Sequence, residues 1–143
     1  MINQDIRVNG EFYVCPVFNE AILDDKLCTI DAFLAAGHVC AIMGIQEYYP
    51  LVEKYKIPIV VTGFEPLDLV QGIYMAIKQL EKGQFKLENQ YSRIVKEFGN
   101  KAAIKVIKQV FEIGNREWRG IGEIPNSGYV IKEAFRKYDA EAK

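Results

Sequence analysis

The sequence predicts an α/β fold, a three-layer sandwich in which helices cover both faces of a mostly parallel, open sheet. The first observation is an apolar run at residues 57–61, which lacks polar alternation and so fits a strand covered on both faces. The second is the order of the chain, in which segments with strand character alternate with segments of helical periodicity. That order is typical of parallel strands joined by right-handed crossovers.

The central stretch of this pattern is residues 57–80, where the apolar run breaks at Gly63-Phe64-Glu65 and resumes as an amphipathic helix. Pro66 suits the first turn of that helix, because an N–H there would lack an intrahelical partner and proline has none. Asp68 suits the same turn, because the helix dipole favours a negative charge at this end. Ligands of open α/β sheets bind beyond the carboxyl ends of the strands, so we expect Glu65 to lie in such a crevice. The apolar residues recur on one helical face, which we expect to pack against the sheet: Leu67, Val70, Ile73, Ile77 and Leu80.

The preceding segments complete the alternation. They are interpreted as a strand at 11–15, a short helix at 19–27, a strand at 30–35, a break at 36–38, a compact apolar stretch at 39–45 and a helix at 46–55. Parallel strands end at the same edge of a sheet, so Gly37 and His38 should lie near residues 63–65.

The C-terminal third is interpreted as an edge strand at 86–91, a helix at 100–111 capped by Asn100, and a last helix from Asn126 or Ser127 to about residue 138. We expect residues 118–128 to border the same crevice. The complete order corresponds to a Rossmann-like or flavodoxin-like sheet.

Composition limits the classes of function. The 143 residues are interpreted as one domain, 1–143, whose hydrophobic content of 50% suffices for a core. The 18 basic and 19 acidic residues are spread along the chain without a basic patch, which argues against a nucleic-acid partner. No apolar run is long enough to cross a bilayer, and the first residues lack a signal-peptide core. These features predict a cytoplasmic protein without membrane contact.

His38, the only histidine, is the first candidate for chemistry. It could act as a general base, a hydrogen-bond donor or a metal ligand, or simply cap a turn. A metal site built on His38 and Cys40 is weakly supported, because two ligands leave a tetrahedral site unfilled. We expect Cys15, Cys28 and Cys40 to be reduced and mostly buried.

Two further groups of residues are candidates. Glu65 and Asp68 supply carboxylates at the crevice, although Asp68 is also explained as a first-turn acid. Trp118 and Arg119 could form a stacking or bidentate arm. Alternatively, Trp118 could fill the core and Arg119 could pair with Glu117 or Glu123. The neighbouring glycines indicate close backbone approach or unusual dihedral angles: Gly120, Gly122 and Gly128.

Three stretches together resemble the hydrogenase maturation family HypD. They are Ala36-Gly37-His38-Val39 with Gly44, then Val60-Val61-Thr62-Gly63-Phe64-Glu65-Pro66-Leu67-Asp68, and Trp118-Arg119-Gly120-Ile121-Gly122 with Ile124-Pro125 and Ser127-Gly128. The resemblance covers residues 31–143 well and the first 30 poorly. Alanine at position 36 and cysteine at position 40 depart from the family pattern, so Cys40 inherits no role.

The resemblance implies a scaffold, rather than a stand-alone enzyme, that works with a HypC-like chaperone and a HypE-like partner. On it the iron of [NiFe] hydrogenase acquires cyanide and carbon monoxide. The chain resembles the second of two similar α/β domains and lacks both the iron-binding Cys-Gly-x-His motif and the cysteines of a [4Fe–4S] cluster. We therefore expect no metal in this chain and no cofactor assembly without the missing domains of the same protein.

The resemblance also implies the site residues. His38, Glu65 and Asp68 are expected to do chemistry in the cleft. The residues expected to shape the cleft through side chain or backbone are Gly37, Gly44, Gly63, Phe64, Trp118, Arg119, Gly120, Gly122, Pro125, Ser127 and Gly128. Two alternatives remain open: a small-molecule-binding α/β module without iron chemistry, and a hydrolase or lyase that uses His38 with an acidic partner.

Overall fold

The computed structural model describes residues 15–26, 28–118 and 122–140. The chain forms two compact units. We call Ile22–Ile104 the parallel-sheet unit. The hairpin unit comprises Met1–Ala21 and Lys105–Lys143, of which residues 15–21, 105–118 and 122–140 are described.

The parallel-sheet unit contains three parallel strands in the order β1-β2-β3: β1 (Phe33–Ala36), β2 (Ile59–Thr62) and β3 (Leu87–Asn89). In register, Phe33 lies beside Ile59, and Val61 lies beside Asn89. The middle strand is the core, since Ile59, Val60 and Val61 are fully buried. The predicted α/β class, the parallel strands and the edge position of the third strand are thereby confirmed, with boundaries shifted by a few residues.

Helices follow the strands as the alternation predicts. They are α2 (Gly37–Met43), a 3₁₀ turn (Gln46–Tyr48) leading into α3 (Tyr49–Tyr55), α4 (Pro66–Glu81) and α5 (Lys101–Val110). Asn100 caps α5 as expected, because its Oδ1 accepts the backbone N–H groups of Ala102 and Ala103 at 3.1 Å. The first helix, α1 (Cys15–Leu23), already includes Cys15, where a strand was predicted. The rest of that predicted strand lies outside the described residues.

The predicted packing face of α4 is wrong. Its small and polar residues are buried instead, and the helix contacts β2 and β1. Gly72 permits this close approach, because a Cβ there would collide with the methyl group of Thr62. Gln79 is compatible with burial because its amide donates to Glu88 at 2.5 Å and accepts the Lys86 N–H at 2.8 Å.

The hairpin unit pairs β4 (Phe111–Trp118) antiparallel with β5 (Gly122–Ile131), followed by a 3₁₀ turn (Glu133–Tyr138). The predicted last helix from Asn126 or Ser127 is therefore wrong. Asn126 has φ of 56° and Ser127 bonds within the hairpin, so both cap-type residues shape a strand. Of the helices in the described ranges, none is long and apolar enough to cross a membrane.

Candidate functional site

The strand ends bring His38 to Phe64. Ala36 of β1 lies beside Thr62 of β2, so the residues that follow the two strands leave the sheet together. The rings of His38 and Phe64 have centroids 4.9 Å apart at an angle of 54°. The expected proximity of residues 37–38 to residues 63–65 is confirmed. His38, Phe64 and Glu65 are all exposed, and we call these three residues the strand-end edge.

Two glycines allow the backbones to approach at this edge. A Cβ on Gly37 would collide with the Thr62 carbonyl oxygen and lie 2.7 Å from the Tyr91 ring. A Cβ on Gly63 would collide with the Asp68 carboxylate and lie 2.8 Å from the same ring. Tyr91 therefore packs against both glycines, and neither position has room for a side chain.

Asp68 is held by residues that follow β3. Its side chain is 6% exposed and accepts two hydrogen bonds from the Arg93 guanidinium, Nη1 to Oδ1 at 2.9 Å and Nη2 to Oδ2 at 2.6 Å. Gln90 Nε2 donates to Oδ1 at 2.8 Å. The Arg93 bonds first, then that of Gln90, lower the pKa of the Asp68 carboxyl below its usual value. Asp68 is thus an ionised carboxylate whose oxygens are engaged within the fold.

Glu65 begins α4 through its backbone. Its φ and ψ of −66° and 146° are those of an N-cap residue, and its carbonyl accepts the Leu69 N–H at 3.1 Å. Its carboxylate makes no capping bond. Within the described part of the chain, His38 makes no hydrogen bond with Glu65 and contacts Phe64 instead. His38 and Glu65 thus lie at neighbouring strand ends without bonding to each other.

Sequence reasoning missed the contribution of β3 to this region. Tyr91 and Arg93 follow that strand, and Arg93 lies over the Tyr91 ring at 4.3 Å. The available signal was topological, since a third parallel strand ends at the same edge as the first two. Two buried acceptors also lie here without a hydrogen-bond partner among the described residues, Asn89 Oδ1 and Gln90 Oε1. Such groups are rare in folded proteins and mark this region as polar.

Gly44 lies at the other end of α2 from His38. Its φ of 83° and ψ of −167° belong to a region that glycine alone readily adopts. A Cβ there would lie 2.6 Å from the Glu97 carbonyl oxygen and 2.8 Å from the Gly99 nitrogen. In the structure Gly44 ends a helix against a neighbouring turn.

The predicted residues of the hairpin unit bond to one another. Trp118 Nε1 donates to Ser127 Oγ at 2.8 Å, and Ser127 Oγ donates to the Ile124 carbonyl at 2.7 Å. Gly128 lies opposite Gly114 and leaves room for the Arg116 side chain.

Three predicted residues remain to be placed. Gly122 has φ of 97° in open space, and Pro125 is exposed. Arg119 and Gly120 lie outside the described residues. That residues 118–128 border the crevice stays a prediction.

A metal ion has little to bind in the described ranges. No group of three or more His, Cys, Asp or Glu side chains converges there. Cys40 is buried and Cys28 half-buried, and neither forms a disulfide bond. A [4Fe–4S] cluster takes four cysteines, and the sequence has three. The residues present do not fit that cluster.

Fold and site together define an α/β protein with an exposed polar edge at the carboxyl ends of its parallel strands. The HypD family model, described as "Hydrogenase formation hypA family", matches residues 4–143. This chain belongs to the HypD family.

Curated relatives share this family. The chain is 45% identical over 114 residues to hydrogenase maturation factor HypD of Escherichia coli and 44% identical over 124 residues to that of Rhodobacter capsulatus. It is 46% identical over 110 residues to a putative hydrogenase expression/formation protein of Methanocaldococcus jannaschii. These alignments cover 77–86% of this chain and 31–33% of each relative. The chain therefore spans about a third of their length.

Proposed function

We propose that this chain is part of a hydrogenase maturation scaffold and that its strand-end edge forms one wall of an iron-assembly cleft. The iron with its cyanide and carbon monoxide ligands is the cargo of that cleft. A HypC-like chaperone and a HypE-like partner act with the scaffold. The observation that carries the proposal is the contact of His38 with Phe64 at two adjacent strand ends.

The side chains of the strand-end edge are better suited to contact the cyanide and carbon monoxide ligands of the iron than to coordinate the iron itself. A histidine N–H can donate a hydrogen bond to a cyanide nitrogen. The exposed Phe64 ring offers an apolar surface to carbon monoxide, which is a poor hydrogen-bond acceptor. The Glu65 carboxylate can accept a hydrogen bond from a protein partner. His38 and the Phe64 ring thus recognise the cargo, Glu65 binds a protein partner, and the thiolate that holds the iron comes from another part of the scaffold.

Asp68 serves this cleft as a positioning residue. Its bonds to Arg93 and Gln90 join the first turn of α4 to the segment after β3. The glycines at positions 37 and 63 hold the same backbones close together. A recognition surface must be rigid to hold its groups in productive geometry, and this network supplies the rigidity.

The relatives' greater length supports a cleft shared with further parts of the scaffold. Since the chain spans about a third of each matched relative, we place the opposite wall of the cleft in the remaining two thirds. We also infer that, in the complete protein, the parallel sheet is the centre of a three-layer α/β domain of the Rossmann-like or flavodoxin-like type.

The test is a chimera in which this chain replaces the matching segment of the Escherichia coli relative, in cells that lack that relative. His38→Ala and Glu65→Ala should each reduce hydrogenase activity at least about tenfold, the loss expected when a hydrogen bond to a charged group is removed. Glu81→Ala is the matched control, because Glu81 is an exposed carboxylate at the other end of α4. Full activity of both edge variants would refute the proposal.

A further inference from the structure

α4 carries an apolar surface that faces away from the sheet. The buried side of the helix is formed by Asp68, Gly72, Ala76 and Gln79. The opposite side exposes six large apolar residues, each with 37–67% of its surface accessible, and we call it the α4 stripe: Leu67, Val70, Ile73, Tyr74, Ile77 and Leu80. Exposed apolar patches of this kind mark interaction surfaces in soluble proteins.

The stripe is symmetric about its own centre. The point between Ile73 and Tyr74 divides it into two halves with matching side chains at equal distances. Leu67 then corresponds to Leu80, and Val70 corresponds to Ile77. Two copies of the helix laid antiparallel would therefore place leucine against leucine and β-branched residue against β-branched residue. This self-complementarity is the requirement of a two-fold symmetric interface.

The charges at the helix ends obey the same symmetry. Glu65 and Lys82 flank the stripe at equal distances from its centre, and both are exposed. In the antiparallel pair, Glu65 of one copy lies opposite Lys82 of the other, and the contact occurs twice. A parallel pair would place like charges together at each end. The charge pattern thus favours the antiparallel arrangement, which also aligns the helix dipoles favourably.

We propose that the α4 stripe is a docking surface for a second copy of this chain, joined as an antiparallel α4–α4 dimer. A second copy satisfies both the apolar and the charge pattern of the surface. The proposal shares Glu65 with the strand-end edge but uses neither His38 nor Phe64, and self-association is measured on the chain without iron, so the two proposals can fail separately.

The dimer should be weak. α4 has 16 residues, so the paired helices are about 24 Å long and bury less than the roughly 1,600 Å² of a standard interface. We expect a reversible equilibrium with a dissociation constant in the micromolar range. Sedimentation equilibrium of the full chain over a concentration series should therefore show a monomer–dimer transition.

The first variant is Ile77→Glu, which puts a charge into the stripe. It should weaken association at least about tenfold, as expected for the loss of a central apolar contact. Val106→Glu is the matched control, because Val106 is an exposed aliphatic residue of a different helix, α5, and its replacement should leave the equilibrium unchanged. Circular dichroism verifies that both variants are folded. A monomer at every concentration, or a dimer insensitive to Ile77→Glu, would overturn the proposal.

A charge exchange tests the antiparallel register. Glu65→Lys alone should weaken the dimer, because it places two lysines opposite each other. Lys82→Glu alone should weaken it because it places two glutamates opposite each other. The double variant should recover most of the original affinity. Failure of the double variant to recover it would refute the antiparallel pairing. If a different protein covered the α4 stripe of a monomeric chain, that result would also overturn the proposal that a second copy covers it.

Discussion

His38 and Glu65 in the parallel-sheet unit differ from Trp118 and Ser127 in the hairpin unit in how their side chains are bonded. In the parallel-sheet unit, His38 and Glu65 are exposed at the ends of strands, and their side chains make no hydrogen bond with the residues that the structure describes. In the hairpin unit, Trp118 and Ser127 bond to each other and to the strand backbone. The comparison separates residues available to a ligand or partner from residues that stabilise their own hairpin.

The difference follows from how the strands are connected. Parallel strands need crossover helices, so their carboxyl ends emerge together and leave loop residues at one edge. An antiparallel hairpin turns back on itself, and its polar side chains meet across the two strands. Hydrogen bonds within the hairpin therefore account for Trp118 and Ser127 without a ligand. Local structure does not account for His38 in this way.

The largest expected effect on stability is at Gly37. Gly37→Ala should lower the free energy of unfolding by about 3 kcal/mol, the upper part of the usual cost of overpacking, because the Thr62 carbonyl cannot move away from a new Cβ. Urea unfolding measures the change through the transition midpoint.

Gly83→Ala is its control, since Gly83 has a positive φ but open space around it. It should cost about 1 kcal/mol, from backbone conformation alone. Equal losses in the two variants would contradict the close approach of β1 and β2 at the strand-end edge.

A smaller effect is expected in the hairpin unit. Ser127→Ala removes the acceptor of the Trp118 indole N–H and the donor to Ile124, so it should cost about 2 kcal/mol. Trp118 is the only tryptophan, so its fluorescence reports this unit directly. Ser92→Ala, at an exposed position, should be neutral. An unchanged unfolding curve for Ser127→Ala would remove the contrast between the two units.

The smallest expected effect is a pH dependence in the parallel-sheet unit. The folded pKa of Asp68 lies below its ordinary value of 3.8, so the unfolded chain binds the proton more tightly. The contribution of Asp68 to stability is thus fully present above about pH 4 and declines as the pH falls through the lower, folded pKa.

Urea unfolding between neutral pH and acid should show that decline, and Asp68→Asn should make it shallower. Asp31→Asn, at an exposed position away from Arg93, should leave the slope unchanged. The same slope in Asp68→Asn as in the parent chain would mean that the Arg93 bonds do not lower this pKa.

The parallel-sheet unit was largely predictable, because its signals are local. The unbroken apolar run at residues 57–61 correctly located β2, and Pro66 correctly located the start of α4. The meeting of His38 and Phe64 followed from parallel topology alone. Arg93 was missed because its role depends on a third strand end, which has a weak sequence pattern at Leu87–Asn89.

Two predictions were wrong, the packing face of α4 and the last helix, because both depend on side-chain packing that the residue pattern does not encode. The buried face of α4 is set by Gly72 and by polar groups that find partners, so apolar periodicity indicated the wrong side. Asn126 and Ser127 have the chemistry of helix caps, but in the hairpin they supply a positive φ and a buried hydrogen bond. Residue type alone does not distinguish these uses.

The most direct test of the proposed role is infrared spectroscopy of the purified chimeric scaffold in complex with the proposed HypC-like partner. Cyanide and carbon monoxide bound to iron give separate stretching bands, so the spectrum reports the cargo itself. We predict that His38→Ala loses or shifts these bands while its urea-unfolding midpoint stays that of the parent chimera. Unchanged bands in His38→Ala would contradict a role of the strand-end edge in holding the iron's ligands.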